Sequence, residues 1–359
     1  KQLRIKLGID PTSPNLHIGR AVQLLKLRDF QQLGHKVVFI VGDSTGVIGD
    51  TSDKDSERPM LAKEKVKQNM KNYIQQAGKI LDIKKCEVRL NSEWLGKLNY
   101  DQIGEQADQF SLAEFIAREN ISKRLDAGTR VSLREVLYPL MQGYDSVAVK
   151  ADVELGGTDQ RFNLLAGRKL QSYFKQEPQD IVMGPLLEGT DGRKMSSSWG
   201  NTINLTDEPN DMFGKAMSLP DNLIIKYFTL ATRAPLTEVA QLEKSLATGV
   251  NPRDVKIKLA FELVKMYYSE KDAHKAQDNF IKTFSKKETP DEMPELKPSA
   301  MNIITVLVES QICKSTSEAR QVISQGGVKI NDTKVESIDE QVKSGDIIQK
   351  GSRFFVKIK

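Results

Sequence analysis

A chain of 359 residues has room for two or three domains and a sizeable core. With 39% hydrophobic and 28% charged residues it lacks the apolar depletion of a disordered protein, and its net charge of +5 is compatible with a nucleic-acid partner without requiring one. The cysteines, Cys86 and Cys313, are too far apart and too isolated to suggest a disulfide scaffold or a zinc site, and no apolar run nears the roughly 20 residues that span a bilayer, so a cytoplasmic, non-membrane protein is expected.

The opening KQLRIKLGID reads as neither a signal nor a transit sequence; it begins directly on a strand-like run, LRIKLGID (3–10), which leaves room for a further N-terminal segment in the natural protein. KVVFIVGD (36–43), almost continuously apolar, reads as a second buried strand. Between them Val22, Leu25, Leu27, Phe30 and Leu33 recur at roughly helical spacing, and Gly34 closes the helix. Strand, helix, strand predicts a parallel βαβ unit with a right-handed crossover, and a ligand beyond the carboxyl end of the first strand, at DPTSPNLHIG.

Farther on, ISKRLDAGTRVSLREVLYPLMQGYDSVAVK predicts two helices, ADVELGGTD a strand entering a Gly-rich turn, and RFNLLAGRKL a helix. DIVMGPLLEG (180–189) predicts a last strand before the polar, mobile loop TDGRKMSSSWGN. The fold class is therefore α/β: a Rossmann-like parallel-sheet domain over 1–200, then an α-helical domain over 201–285. A charged, Pro-containing linker covers 286–297, and a small α+β domain covers 298–359.

Two segments carry chemistry. In GIDPTSPNLHIGR a turn with two prolines leads into a helix whose start bears His17 and Gly19. Free N–H groups and the positive dipole end there would attract phosphate, Gly19 would let a nucleotide approach the backbone, and His17 could donate to charge developing on phosphate. TDGRKMSSS places a lysine among hydroxyls on a loop able to close over a polyphosphate. Alone, the first reads equally as a surface turn and the second as a solvated serine loop; together, in this order and with a βα scaffold between them, they point to a nucleotide site.

LHIGR resembles the HIGH signature, and KMSSS the KMSKS signature, of class I aminoacyl-tRNA synthetases. GIDPTSPNLHIGR, GVIGDTSDK, YPLMQGYD and ELGGTDQRFN resemble the tyrosyl branch, and the likeness runs from the first strand to the C-terminus. Arg20 stands where the first signature usually has its second histidine, and Ser197 where the second has its second lysine. The resemblance implies activation of tyrosine by ATP to tyrosyl-adenylate and pyrophosphate, then transfer to the 3′ end of tRNA(Tyr). Mg²⁺ would accompany ATP, held mainly by phosphates and water. Adenylate formation is an in-line attack of a carboxylate on the α-phosphate, so it needs donors and cations more than a nucleophile or base.

Carried over by position, the resemblance implies that Gly8, Asp10, Thr12, His17, Gly19 and Arg20 line the ATP site. Gly157 and Asp159 would bind ribose, and Leu186 with Leu187 would grip adenine. Lys194, followed by Met195, Ser196 and Ser197, would form the catalytic loop. Asp50, Tyr138 and Gln142 would hold the substrate ammonium, Gln160 would lie near its carboxyl end, and Asp145 would accept the phenolic hydroxyl. In many tyrosyl enzymes a tyrosine two residues before the first-strand glycine shares that hydroxyl; Lys6 occupies the place here, and it either pairs with Asp145 or points away.

The tail contains SEARQVISQGGVKIN, which resembles the core of an S4 RNA-binding domain, with Arg320 and Lys329 as candidate RNA contacts. The family resemblance also implies a homodimer, formed through helices around 111 to 140. Two rival readings are a tryptophanyl-type enzyme, which typically lacks such a tail, and a catalytically silent synthetase-derived RNA-binding protein, made thinkable by Arg20 and Ser197.

Overall fold

The computed structural model describes residues 1–51, 60–285, 293–351 and 354–359; most of the expected linker (286–292) and the end of the GVIGDTSDK segment lie outside the described residues. Five parallel strands form one sheet: β1 (Arg4–Ile9), β2 (Lys36–Val41), β3 (Glu87–Leu90), β4 (Val153–Gly157) and β5 (Asp180–Gly184), in the order β3-β2-β1-β4-β5. The apolar runs of β1 and β2 are buried on both faces, as a parallel sheet covered by helices requires. Chain order reverses between β1 and β4, and the crevice beyond the carboxyl ends of two such strands is where doubly wound sheets bind ligands.

The crossover helix α1 (Ile18–Gln32) starts four residues before the expected apolar stripe, because His17 in extended conformation serves as its N-cap. It ends before Gly34, whose φ of 85° is costly for any side chain. β5 stops at Gly184, shorter than expected, since Pro185 cannot donate to a ladder. β3 was not legible in the sequence: its four residues are only partly buried at the sheet edge and two of them are charged.

Helix α2 (Leu133–Val149) carries YPLMQGYD and packs along α3 (Arg161–Tyr173). Gly143 sits against the Ala166 backbone and Leu170, where a Cβ would be tight at 3.0–3.2 Å and the neighbours would have to give. The end of α2 is set by Lys150 in the left-handed region.

By packing, the described chain divides into two compact units, one of residues 1–208 with 215–267 and one of 209–214 with 268–359. The helical stretch expected from 201 to 285 is thus shared between them. Helix α4 (Ile224–Ala231) packs against α1, and α5 (Leu236–Ala247) and α6 (Pro252–Tyr267) pack against α4. Lys226 pairs with Glu188 at 2.7 Å, and Arg233 pairs with Asp29 on α1. The second unit contains α7 (Glu270–Ser285), then a mixed sheet of β6 (Glu295–Leu296), β7 (Val328–Ile330), β8 (Thr333–Lys334), β9 (Ile347–Lys350) and β10 (Phe354–Ile358). Helices α8 (Ile303–Glu309) and α9 (Thr316–Ser324) bury Val306, Leu307, Ala319 and Ile323 against Val328, Ile348 and Val356 of that sheet. Among the described residues, no helix is long and apolar enough to cross a membrane.

Gly42, just after β2, admits no side chain: a Cβ would lie 2.1 Å from Asp10 Oδ1 and 2.3 Å from Thr45 Oγ1. Gly42→Ala is expected to lower stability by about 1–3 kcal/mol, the usual cost of forcing atoms into a packed interior, read as a fall in the denaturant midpoint. An unchanged midpoint would show that this turn yields without strain.

Candidate active site

At the β1–β4 switch point lies a cavity of about 890 Å³. Its wall includes Gly8, Asp10 and Thr12 from the end of β1, His17, Gly19 and Arg20 from the start of α1, Gly157 at the end of β4, and Asp159 and Gln160 beyond it. Tyr138 and Gln142 on α2 and Asp50 close one side; Leu186, Leu187 and the segment Lys194 to Ser197 close the other. Sequence positions separated by as many as 192 residues, Leu7 and Trp199, therefore meet in one place.

Asp10 is the junction. Its Oδ1 accepts a hydrogen bond from Thr45 Oγ1 at 2.7 Å, and its Oδ2 accepts one from the Tyr138 hydroxyl at 2.8 Å. Burial pushes its carboxyl up to about 6, against the pull of those two donors. Burial likewise raises the Tyr138 phenol, reinforced by the charges of Asp10 and Asp50, so Tyr138 is a lasting donor.

The start of α1 differs from the expectation of free amides. Ile18 N–H donates to the Ile203 carbonyl at 2.9 Å, Arg20 N–H to the His17 carbonyl at 2.9 Å, and Gly19 N–H to the Met195 sulfur at 3.3 Å. Only the last is a weak bond that an anion could readily displace, so the dipole end remains but most of its donors are committed. Arg20 is also committed: its guanidinium donates to the Asp10 carbonyl, Thr12 Oγ1 and the Tyr73 hydroxyl, which braces the DPT turn. His17 is buried, and its Nδ1 has no hydrogen-bond partner. Burial, then the charges of Arg20 and Lys194, bring its imidazole down to about 3, so it is neutral at ordinary pH.

The second signature segment folds back as a short hairpin: Met195 N–H donates to the Leu187 carbonyl at 3.0 Å, and Gly189 N–H to the Arg193 carbonyl at 2.7 Å. Asn201 fastens it, accepting from Ser196 N–H and donating to Asp191. The loop expected to be mobile is thus held by side-chain bonds that its sequence did not advertise. Lys194 Nζ meets Asp159 Oδ2 at 2.9 Å, and Ser197 Oγ lies 3.2 Å from Ser13 Oγ in the DPTSP turn. A Cβ on Gly157 would lie 2.4 Å from Asp159 Oδ1, so this glycine permits the Asp159 carboxylate to fold back over the strand end.

On the amino-acid side, Gln160 Nε2 donates to Asp50 Oδ2 at 2.6 Å and Asn163 orients Gln160 in turn. Two expected residues do not line the cavity. Lys6 is fully buried beneath it, paired with Glu154 at 2.8 Å rather than with Asp145, because Lys6 and Glu154 are register partners on adjacent strands. Its placement among residues that touch substrate is therefore corrected. Asp145, 3% exposed, also lies behind the wall; it accepts from Trp94 Nε1 at 2.8 Å and from Asn91 Nδ2 at 3.3 Å. Burial raises its carboxyl to about 7, opposed by the nearby Lys6 charge and by these two donors.

The sequence reading passed over Glu154, Thr45, Asn91, Trp94 and Trp199. Glu154 carried a signal, being a charge inside a strand buried on both faces. Trp199 borders the cavity beneath the Arg193 guanidinium, 4.7 Å from its ring centroid. In the other unit, Arg320 on α9 and Lys329 on β7 are both exposed. Among the described residues, no group of three or more His, Cys, Asp or Glu side chains is arranged to hold a metal ion.

Comparison with known proteins agrees with this geometry. Residues 1–285 match the family of class I tRNA synthetases (W and Y), and residues 285–356 match the tyrosine–tRNA ligase SYY-like C-terminal domain. The tyrosine–tRNA ligase of Thermotoga maritima is 48% identical over 99% of this chain and 90% of its own length; that of Haemophilus influenzae is 46% identical over 100% and 90%. In fold, the chain resembles a C-terminally truncated mitochondrial tyrosyl-tRNA synthetase of Aspergillus nidulans, with a TM-score of 0.65 at 21% identity over 79% of this chain and 86% of that one. It also resembles the Archaeoglobus fulgidus tyrosyl-tRNA synthetase complexed with L-tyrosine, with a TM-score of 0.59 at 22% identity over 77% and 90%. Matched along almost its whole length to such relatives, and with both signature segments converging on one cavity, the chain belongs to the tyrosine–tRNA ligases, the tyrosyl branch of the class I aminoacyl-tRNA synthetases.

Proposed function

We propose that the cavity holds ATP and tyrosine end to end, with Asp10 and the start of α1 at the seam between them. The observation that carries this reading is the meeting of His17, Gly19, Lys194 and Asp159 on one side of the cavity with Asp50, Tyr138, Gln142 and Gln160 on the other. On the ATP side, Gly157 and Asp159 take the ribose and Leu186 with Leu187 the adenine. Lys194 exchanges Asp159 for phosphate charge as it develops, which is where a cation lowers the barrier. Arg20 supports the DPT turn and adds positive potential, while Met195, Ser196 and Ser197 shape the loop. Mg²⁺ arrives with ATP, bound by phosphate oxygens and water.

On the tyrosine side, Asp50 and the Gln142 amide accept from the ammonium, Tyr138 lies beside them, and Gln160 serves the carboxyl end. Asp145 receives the phenolic hydroxyl from behind the wall, past side chains that the ring must displace: two donors hold Asp145, and a carboxylate has acceptor capacity beyond two bonds. The tryptophanyl alternative is not favoured, because residues 285–356 match a tyrosine-type C-terminal domain. Pyrophosphate–ATP exchange run with each amino acid separately tests the assignment: tyrosine alone should support exchange, and Asp145→Ala should erase most of the preference over phenylalanine. A site that hydrogen-bonds the hydroxyl leaves its buried acceptor unpaired when phenylalanine enters, and a tyrosyl enzyme is the known case in which this rejection reaches about 10⁵-fold. Exchange with no amino acid, or undiminished preference in the variant, would overturn the corresponding part.

A neutral His17 has a consequence for pH dependence. Its pKa falls from 6.5 to about 3, so in the free enzyme it takes no proton between pH 5 and 8. The depression costs the fold nothing above pH 6.5; the penalty grows as pH falls from 6.5 towards 3, where the unfolded chain binds the proton first, and stays in full below that. His17→Asn should lower kcat/KM for exchange by about 10- to 100-fold with an unchanged profile shape from pH 5 to 8. An inflection near neutrality that vanishes in the variant would show that the imidazole titrates there.

We assign residues 298–359 to tRNA contact, through Arg320 and Lys329, and the region around 111–140 to a homodimer. Arg320 and Lys329 are exposed cations on adjoining elements, and Leu112, Ile116, Leu125, Leu133 and Leu137 are exposed apolar side chains without an apolar cover in the single chain. Residues 1–200 form the catalytic domain in this reading, 201–285 the helical domain and 286–297 the linker. Removing 298–359 should leave the sedimenting dimer and pyrophosphate exchange intact while tRNA charging falls by about tenfold or more. Loss of exchange or of the dimer in a folded truncation would contradict the division.

A further inference from the structure

Beneath the cavity, Lys6 and Glu154 form an ion pair with side-chain exposures of 0% and 1%. Every donor of the ammonium is used: Lys6 Nζ meets Glu154 Oε1 at 2.8 Å, Ser146 Oγ at 2.7 Å and the Gln142 carbonyl at 2.9 Å. Every acceptor site of the carboxylate is used as well. Oε1 takes Lys6 and Gln142 Nε2, the latter at 3.1 Å; Oε2 takes Ser146 Oγ at 3.1 Å and Gln179 Nε2. A carboxylate has about four lone-pair sites, so Glu154 is saturated and has none left for a substrate, although it borders the cavity.

The consequence falls on Gln142. A primary amide can turn either end towards the cavity, and a carboxylate, which only accepts, settles the choice: the Gln142 nitrogen must face Glu154. Its carbonyl oxygen, at the other end of the same planar group, is then presented to the cavity that Gln142 lines. We propose that the buried Lys6–Glu154 pair is a positioning device that fixes the Gln142 amide as an acceptor, so that this site reads the α-ammonium of its amino acid. This rests on the reading of Gln142 as an ammonium ligand. Lys6 contributes twice, by donating to Glu154 Oε1 and by tying the Gln142 backbone carbonyl to β1. A buried ion pair is seldom a gain in stability over apolar residues of similar size, which fits a pair whose role is orientation.

The experiment is a double-mutant cycle in pyrophosphate exchange on the full chain, with thermal midpoints checking that each variant is folded. Glu154→Gln removes the obligate acceptor and lets the Gln142 amide turn, so KM for tyrosine should rise about tenfold while KM for ATP moves less than about twofold. Gln142→Leu should raise KM for tyrosine as well; if it does not, the ammonium reading fails and takes this proposal with it. In the Gln142→Leu background, Glu154→Gln should have almost no further effect on KM for tyrosine, because there is no amide left to orient. A Glu154→Gln penalty of the same size in both backgrounds would mean a merely structural role and would overturn the proposal. Should Glu154→Gln fail to fold because Lys6 loses its counter-charge, the paired change Lys6→Met with Glu154→Leu replaces it in the same cycle. A folded pair variant whose KM for tyrosine is unchanged would sink the proposal while leaving the role of Gln142 standing.

Discussion

The site depends on one half-buried carboxylate. Asp10 lies where β1 ends, and it must be reached by a hydroxyl from the segment after β2 and another from α2. A carboxyl taken out of water without such donors would be strongly disfavoured, and burial outweighs the two hydroxyls enough to leave it raised to about 6. Meeting the demand brings Thr45 and Tyr138 to the same carboxyl, at the carboxyl end of β1. Gly42 is the steric counterpart, since Asp10 occupies the space a side chain there would take.

Around this junction the basic groups are held in different ways. Arg20 is committed to the turn, Lys194 to Asp159, and His17 is kept neutral by burial beside both. A polyphosphate entering here would meet a standing positive potential, one cation able to change partner, and an uncharged imidazole able to donate. That division suits a reaction in which charge moves along phosphate and no covalent bond to the protein is needed.

Two ion pairs are buried in the same unit, Lys6–Glu154 in the sheet and Arg124–Glu135 near the start of α2. Neither is expected to add stability over an apolar packing of equal volume, since desolvation offsets most of the attraction. Both constrain α2: Glu135 also accepts from Ser132 N–H at its N-terminus, and Lys6 holds the Gln142 carbonyl farther along. The helix that carries Tyr138, Gln142 and Asp145 is thereby fixed at two points by directional bonds, where apolar contacts alone would let it slide.

The sequence by itself determined the βαβ opening, strands β4 and β5 with the helices beside them, and the two signature segments that line the cavity, because hydrophobic period, Gly and Pro punctuation and local signatures are properties of neighbouring residues. β3 escaped because an edge strand of four half-buried residues has neither a clear period nor a long apolar run. What only the tertiary structure decided were the partners. Lys6 could be read as paired with Asp145 or pointing away, yet it faces Glu154, 148 positions along the chain, because β1 and β4 pair in that register. The α1 amides read as free until Ile203 and Met195 were brought over them. A charge or a donor acquires its role from whatever the fold sets within about 3 Å of it, and spacing along the chain carries no record of that.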